Sequence, residues 1–281
     1  MRKTLGKDMQ DHPVFWATWA VLLLSALFLV VPELDRWTSR LFYSAQDGFW
    51  LKNHYVPLRL RALGLFLPRA AILVVTGLLV ARLFWPALQK LFALPTLLYL
   101  AATALLGPGL LVNGLLKANW GRARPVQTDL FGGAWPYSEV WVITDHCQGN
   151  CSFVSGEASM AFWLMGLVLV LPLGWRKGGA LILAALGVLV SLNRIAFGGH
   201  YLSDVLLAWA LTGWVMVALF QLMSKAGWFG PAAEELEQHW TAAGRRIARH
   251  LATLWQRRPL RSRTQPLAPD KKAEPKNAAD N

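Results

Sequence analysis

The residues best suited to chemistry lie between Asn193 and Asp204, where two long apolar runs meet. Charged residues are tolerated in a membrane protein only at the edges of its spans or inside a polar site. If a helix begins just after Gly199, His200 and Asp204 lie one turn apart on one face. Asp204 would then hold one ring nitrogen of His200 and leave the other as a nucleophile, while Arg194 would bind an incoming anion. The pattern predicts phosphoryl transfer.

Two further stretches supply groups that would bind phosphate. Lys117 and Arg124 stand seven residues apart, at the expected end of a membrane span. Ser155 and Gly156 are small residues at the expected start of a helix, whose free amides form an anion site. Phosphoryl transfer concentrates negative charge on three oxygens, which cations and a helix N-terminus stabilise. Each stretch alone would suit an interfacial anchor or a simple cap, but their order along the chain predicts one site.

The composition is that of a membrane protein, because 55% of the 281 residues are hydrophobic and only 16% are charged. Six apolar runs approach the length of about 20 residues that a membrane helix needs. The fold predicted is therefore all-α, a polytopic six-transmembrane-helix bundle with its active site at the outer face. The predicted spans are residues 14–31, 64–85, 91–115, 159–173, 180–197 and 203–223.

The net charge of +12 would suit a nucleic-acid-binding protein, but the cations are not arranged for one. They occur at the ends of apolar runs and in the tail, as expected of cytoplasmic flanks that meet anionic lipids. With six spans, the short-loop cations predict cytoplasmic termini and a periplasmic site in a bacterial inner membrane. Several cations nevertheless face outward, and these are candidates for substrate binding.

Four regions follow from the pattern of charge and hydropathy. In residues 224–258 apolar residues alternate with arginines, so this region either lies on the inner leaflet or forms a solvated charged helix. The segment 32–63 is expected to contain a short interfacial helix over the site. The regions are a cytoplasmic N-terminus (1–13), a membrane domain (14–223, with the motifs in 97–222), a basic amphipathic cytoplasmic helix (224–258) and a disordered tail (259–281).

The only two cysteines are Cys147 and Cys151. On an oxidising face this spacing favours a disulfide over a metal site, which would need more ligands. The bridge would pin the strand that leads into Ser152. His146 beside it is either a catalytic group or, as is more common, a solvated loop residue. No residues show convincing metal-ligand spacing, so neither a metal nor another cofactor is expected.

Together the stretches resemble the type 2 phosphatidic acid phosphatase family of integral membrane lipid phosphatases. That family shares the pattern Lys-x6-Arg-Pro, then Pro-Ser-Gly-His, then Ser-Arg-x5-His-x3-Asp. The first and third parts occur here, with Asn193 where serine is usual. The residues that match them are Lys117, Arg124, Pro125, Arg194, His200 and Asp204.

The second part of the pattern departs in two places, since Val154 replaces proline and Glu157 replaces histidine. In the family that histidine protonates the leaving alcohol, and here Glu157 would take over its task. The resemblance further implies a metal-independent site in which His200 forms a phosphohistidine and Asp204 orients it. The phosphate-binding groups that it implies are Lys117, Arg124, Arg194 and the amides of Ser155 and Gly156.

The loop around the cysteines looks like that of the bacterial lipid A phosphatase-like branch, so a phospholipid or a lipid A-type substrate is expected. Two alternatives remain open. A lipid-to-lipid phosphotransferase would use the same phosphohistidine, and a phosphate-binding membrane protein could have lost catalysis through the change at Glu157. A transporter would carry charges deep in its spans and often inverted repeats, and this sequence shows neither.

Overall fold

The long apolar runs form helices in the computed structural model, which describes residues 11–85, 87–88 and 91–256. The described chain is mostly helical, which confirms the predicted all-α fold class. One short antiparallel hairpin pairs β1 (Tyr43–Ser44) with β2 (Gly48–Phe49). The helices are α1 (Pro13–Val30), α2 (Glu33–Arg40), α3 (Tyr55–Phe84), α4 (Leu94–Asn119), α5 (Gly156–Val170), α6 (Arg176–Ala196), α7 (Leu202–Lys225) and α8 (Ala233–Gln256).

Five described helices are long and apolar enough to cross a membrane, namely α1, α3, α4, α6 with the turn before it, and α7. The predicted fourth span, 159–173, corresponds to α5, which is α-helical over Gly156–Trp163 and 3₁₀-helical over Leu164–Val170. At the rises of these two helix types α5 is about 26 Å long, against a hydrocarbon layer of about 30 Å. The number of crossings therefore stays a prediction. The predicted tail 259–281 lies outside the described residues.

Apolar side chains cover the outside of the spans as well as their interior. Leu22, Leu73 and Leu181 are 52–73% exposed, although each lies in the middle of an apolar helix. A soluble protein would not leave so many leucines in water, whereas lipid chains provide them with an apolar solvent. The chain is thus a multi-span membrane protein.

A proline widens the helix that carries the first motif. Pro108 has no N–H to donate, so the regular α-helical hydrogen bonds are interrupted there. The stretch Leu105–Leu116 of α4 is π-helical, and Asn113 Nδ2 donates to the carbonyl of Pro108 at 2.6 Å. Such turns are frequent at functional sites. The last turn of α4 then presents Lys117 beside the start of α5.

The segments that carry the three motifs meet at one end of the bundle, the site end. It is formed by the last turn of α4, the start of α5 and the connection between α6 and α7, and these helices pack against one another. Helix α2 also contacts α6 and α7 there, as expected of the predicted interfacial helix. Antiparallel packing of these helices, with the long connection 120–155 between α4 and α5, brings motifs distant in sequence into one place.

Helix α8 is held at the opposite end by a buried ion pair. The guanidinium of Arg82, only 1% exposed, pairs with the carboxylate of Glu237 and donates to the carbonyls of Leu88 and Phe92. The Leu94 amide also donates to Glu237, at 3.1 Å. The first half of α8 therefore docks on the protein. Its second half exposes apolar residues, and the membrane contact predicted for this helix stays a prediction.

We expect Glu237→Gln to destabilise the bundle, because it leaves the charge of Arg82 buried without a counter-ion. The cost should be about 2–3 kcal/mol, lowering the melting temperature in detergent by roughly 5 °C or more. Glu235→Gln is the matched control, since Glu235 is exposed on the same helix. Equal melting temperatures for the two variants, measured by intrinsic fluorescence, would contradict this role of the ion pair.

Candidate active site

The imidazole of His200 is buried at the site end, between the end of α6 and the start of α7, with 1% of its surface exposed. Its Nδ1 lies 2.8 Å from the carbonyl oxygen of Ser152. A carbonyl can only accept, so Nδ1 carries the proton and Nε2 holds a lone pair. Nε2 is buried and has no hydrogen-bond partner among the described residues. One ring nitrogen is thus left with a free lone pair, as the predicted nucleophile requires.

Asp204 lies beside His200 but does not hold its ring as the sequence predicted. Helix α7 begins at Leu202, not directly after Gly199, so His200 precedes the helix. Asp204 Oδ2 is 3.7 Å from His200 Nδ1, too far for a hydrogen bond. The carboxylate instead accepts from the Tyr201 amide at 2.9 Å and caps α7. Its charge remains close enough to stabilise an imidazolium that forms during catalysis.

Burial lowers the pKa of His200 to about 3, and the positive charges of Arg194 and Lys117 act in the same direction, while Asp204 opposes them. A histidine whose pKa is depressed stays neutral at every pH above that value. Between pH 5 and pH 8, His200 is therefore unprotonated and keeps the Nε2 lone pair. Nucleophilic attack does not first require a proton to be removed from this residue.

A buried guanidinium anchors Asp204 from behind. Arg122 Nη1 donates to Asp204 Oδ1 at 2.7 Å, and Nη2 donates to Asp35 Oδ2 at 2.9 Å. Asp35 comes from α2 and also accepts from the Ser203 amide and hydroxyl, at 2.8 and 2.5 Å. Arg122 lies over the ring of Tyr201, 4.4 Å from its centre. All four polar residues of this network have at most 1% of their surface exposed.

The charge of Arg122 is fixed. Burial acts to lower its pKa, but the carboxylates of Asp204 and Asp35 raise it well above the ordinary value. Sequence reasoning assigned no role to Asp35 or Arg122. The only signal was that Arg122 falls inside the first motif, between Lys117 and Arg124. Nothing in the sequence distinguishes the arginine that contacts a carboxylate from the one available for phosphate.

Arg194, in the last turn of α6, is buried at the same end. Its Nε lies 3.2 Å from Glu157 Oε1. Gly199 makes room for this guanidinium, because a Cβ there would lie 2.4 Å from an Arg194 terminal nitrogen. Gly199 is thus required for packing of the Arg194 guanidinium. Arg194 is close enough to His200 for its charge to act on the imidazole.

Helix α5 presents Glu157 to this cluster. Ser155 is its N-cap, and its hydroxyl accepts from the Ala158 amide at 3.3 Å. Gly156 allows close approach to α4, since a Cβ would lie 2.5 Å from Asn113 Oδ1. Glu157 Oε1 faces Arg194, while Oε2 is buried without a hydrogen-bond partner among the described residues. A carboxylate therefore occupies the family's histidine position as an ion-paired group.

Lys117 and Arg124 complete the predicted set of cations. Lys117, Gly156 and Glu157 line a pocket of about 310 Å³ that opens beside α3. Arg124 Nη2 donates to the carbonyl of Asn150 at 2.7 Å. Burial lowers the pKa of Arg124, and the charge of Glu157 opposes that effect. The structure thus brings together residues from all three motifs: Arg194 and His200 are buried, and Arg194 contacts Glu157 of the pocket lining.

The loop before α5 is fastened by the cysteines. Cys147 and Cys151 form a disulfide, and Ser152 follows directly. Ser152 supplies both the carbonyl that binds His200 and a hydroxyl that donates to Asp204 Oδ2 at 2.5 Å. The bridge therefore restrains the segment that sets the histidine tautomer.

His146 lies outside this arrangement. Its ring stacks on Trp135, with centres 5.2 Å apart. That contact favours a structural role over the catalytic one left open by the sequence. Among the residues that the structure describes, no group of three or more His, Cys, Asp or Glu side chains is placed to bind a metal.

Residues 92–228 match the PAP2 superfamily. A lipid A 4′-phosphatase from Rhizobium leguminosarum is 39% identical over 229 residues, which is 74% of this chain and 94% of that protein. The chain belongs to the PAP2 superfamily. A second lipid A 4′-phosphatase, from Francisella tularensis subsp. novicida, is 33% identical over 68% of this chain and 88% of its own length. The predicted enzyme class, a membrane lipid phosphatase that hydrolyses phosphoric monoesters, is confirmed.

A solved structure also resembles this PAP2 protein. It is a transmembrane PAP2-type phosphatidylglycerolphosphate phosphatase from Bacillus subtilis, with a TM-score of 0.47 and 23% sequence identity. The match covers 76% of this chain and 97% of the other.

We expect Asp35→Asn to lower kcat by about ten- to a hundredfold, because Arg122 would lose one of its two carboxylates and Asp204 would shift. KM should change by less than about threefold, since Asp35 does not line the pocket. Asp47→Asn, in the exposed hairpin, is the matched control.

The readouts are kcat and KM, together with the melting temperature of each variant. A folded Asp35→Asn protein with the wild-type kcat would show that the network serves stability alone. Arg122→Lys keeps the charge and should recover part of the rate lost in Arg122→Gln.

Proposed function

We propose that this PAP2 protein removes a phosphate monoester from a lipid A-type glycolipid through a phosphohistidine on His200. The observation that carries the proposal is the buried, unprotonated and unpartnered Nε2 of His200 beside cations from all three motifs. The substrate class is supported by the lipid A 4′-phosphatases that share 33–39% identity with the chain.

In the first step, His200 Nε2 attacks phosphorus, and the bond from phosphorus to the sugar oxygen breaks. Lys117, Arg124 and Arg194 stabilise the charge on the phosphoryl oxygens. The leaving alkoxide takes a proton from the carboxyl group of Glu157. Asp204, 3.7 Å from Nδ1, stabilises the positive charge that the ring acquires.

In the second step, a water molecule attacks the phosphohistidine. Glu157, now ionised, accepts a proton from that water as the oxygen bonds to phosphorus. The bond between phosphorus and Nε2 breaks, phosphate leaves, and His200 returns to its neutral form. Nδ1 keeps its proton throughout, because its hydrogen bond to Ser152 is unchanged.

Binding of phosphate should itself move Glu157. Its carboxylate already contacts the Arg194 guanidinium that the phosphate needs, so the two anions compete for one cation. A dianionic phosphate at Arg194 displaces Glu157 from this contact and repels its negative charge. The displaced carboxyl group is then free to approach the leaving oxygen, and its Oε2 gives up no hydrogen bond to any residue that the structure describes.

The proposed location is a bacterial inner membrane, with the site end facing the periplasm and both termini in the cytoplasm. Two features support it. The disulfide at the site end suits an oxidising compartment. The opposite end carries Arg176, Lys177, Lys225 and the arginines of α8, as the positive-inside rule requires of a cytoplasmic face.

We expect His200→Ala to abolish turnover of lipid A-type phosphates, because it removes the nucleophile. Purified wild-type protein, quenched during turnover of a phosphorus-labelled lipid, should carry acid-labile, base-stable phosphate that His200→Ala lacks. Full activity in His200→Ala would refute the mechanism. Labelled phosphate that appears on a second lipid instead of in water would identify a phosphotransferase.

We expect Glu157→Gln to keep the shape of the site but to lose proton transfer, with a fall in kcat of about 10²–10⁴-fold. The amide cannot supply a proton to the alkoxide or accept one from water. Glu139→Gln, in the loop outside the site, is the control. Activity of Glu157→Gln within about threefold of wild type would show that the proton comes from elsewhere.

A further inference from the structure

Two arginines outside the three motifs line the same pocket as Lys117 and Glu157. They are Arg61 and Arg69, both on α3. The other polar side chains of the lining are those of Asn113, Lys117, Asn150 and Glu157. Sequence reasoning gave neither arginine a function. They add two positive charges to the lining, of which that of Arg61 faces Glu157.

Arg61 belongs to the cation cluster around the nucleophile. Its Nε lies 3.5 Å from Glu157 Oε1, and this nitrogen is buried without a hydrogen-bond partner among the described residues. Its positive charge also acts on Arg124. Burial is the main cause that lowers the pKa of Arg124, and the charge of Arg61 lowers it further. Arg61 therefore marks the point at which α3 approaches the phosphate site.

Arg69 lies further along the same helix and has no protein partner. It follows Arg61 by eight residues, a rise of about 12 Å along the helix axis. Within the described ranges it makes neither a hydrogen bond nor an ion pair, and its side chain is exposed. A charged residue within a membrane span is costly unless it meets a counter-charge or water. At a pocket lining, the missing partner is an anion that arrives with the ligand.

We propose that Arg69 forms a second anion subsite, which binds a second negatively charged group of the lipid whose transferred phosphate lies near Arg61. This proposal rests on the proposed function, because it assigns the second anion to the same substrate. A planar guanidinium matches a phosphate or carboxylate with two parallel hydrogen bonds. Side chains on a helix tilt toward its N-terminus, which in α3 is the site end, so Arg69 is directed toward the headgroup region.

The distance between the arginines sets the kind of substrate. A lipid with one phosphate near its glycerol has no second anion to place at Arg69. A headgroup with charges at two separated positions, such as a glycolipid phosphorylated at both ends, can reach both sites. The subsite would therefore favour bisphosphorylated glycolipids over monophosphorylated ones.

A neighbouring anionic phospholipid is the other possible source of the anion. Assays in neutral detergent micelles, with the substrate as the only anionic lipid, distinguish the sources. Under those conditions, if Arg69 binds the substrate, KM still differs between bisphosphorylated and monophosphorylated lipid A. If Arg69 binds bulk phospholipid, that difference in KM is absent.

The test compares Arg69→Gln with wild type on those two lipids. We expect KM for the bisphosphorylated lipid to rise by about tenfold or more, with kcat within about twofold, because charge-assisted hydrogen bonds to the second anion are lost. The rise for the monophosphorylated lipid should be at least fivefold smaller. Arg69→Lys should recover part of the loss, since it keeps the charge without the bidentate geometry.

Arg59→Gln is the matched control, because Arg59 lies on the same helix over the Tyr55 ring and does not line the pocket. It should change KM for the two lipids equally. Equal effects of Arg69→Gln on both lipids would overturn the subsite while leaving the proposed function intact. A wild-type protein that hydrolyses neither lipid would instead overturn the proposed function.

Discussion

The site depends on a guanidinium buried between two carboxylates. Removing the charges of Arg122, Asp35 and Asp204 from water is costly, and only close pairing with full hydrogen bonding offsets that cost. The pairing leaves little freedom, because movement of any member would leave another buried without a partner. Asp204 is therefore fixed in position, and it in turn caps α7 and accepts from Ser152. Asp204, which lies beside His200, is thus the residue of the site with the least freedom to move.

The geometry of the nucleophile follows from that constraint. Since the bonds of Asp204 are taken by Arg122, Ser152 and the Tyr201 amide, the ring of His200 finds its hydrogen bond at a backbone carbonyl. A carbonyl fixes the tautomer without adding a full negative charge to the ring. The imidazole thus stays neutral, the cations Arg194 and Lys117 reinforce that neutrality, and both cations remain available for the phosphate.

Local spacing predicted the motif residues, because each motif lies within a dozen residues and the short loops of a helical bundle bring its ends together. It did not predict the partnerships that cross the chain. Asp35 contacts Ser203, and Arg61 contacts Glu157, and no periodicity links positions so far apart. The 3₁₀ turns in the second half of α5 were also missed, since apolar residues fill α- and 3₁₀-helical turns equally well. The i, i+4 spacing of His200 and Asp204 suggested a helical pair, but the histidine precedes the helix.

Arg61 offers a physical reason why Glu157 can stand at the position of the family's histidine. A neutral histidine leaves the charge of the three motif cations unchanged, whereas a carboxylate would cancel one of them and weaken phosphate binding. Arg61, 3.5 Å from Glu157, restores the lost positive charge. The pair therefore keeps the net charge of the site, while under the proposed mechanism the group that transfers the proton changes from imidazole to carboxyl. It also follows that Arg61 and Glu157 should not be exchanged independently, because either single change alters the charge that the phosphate meets.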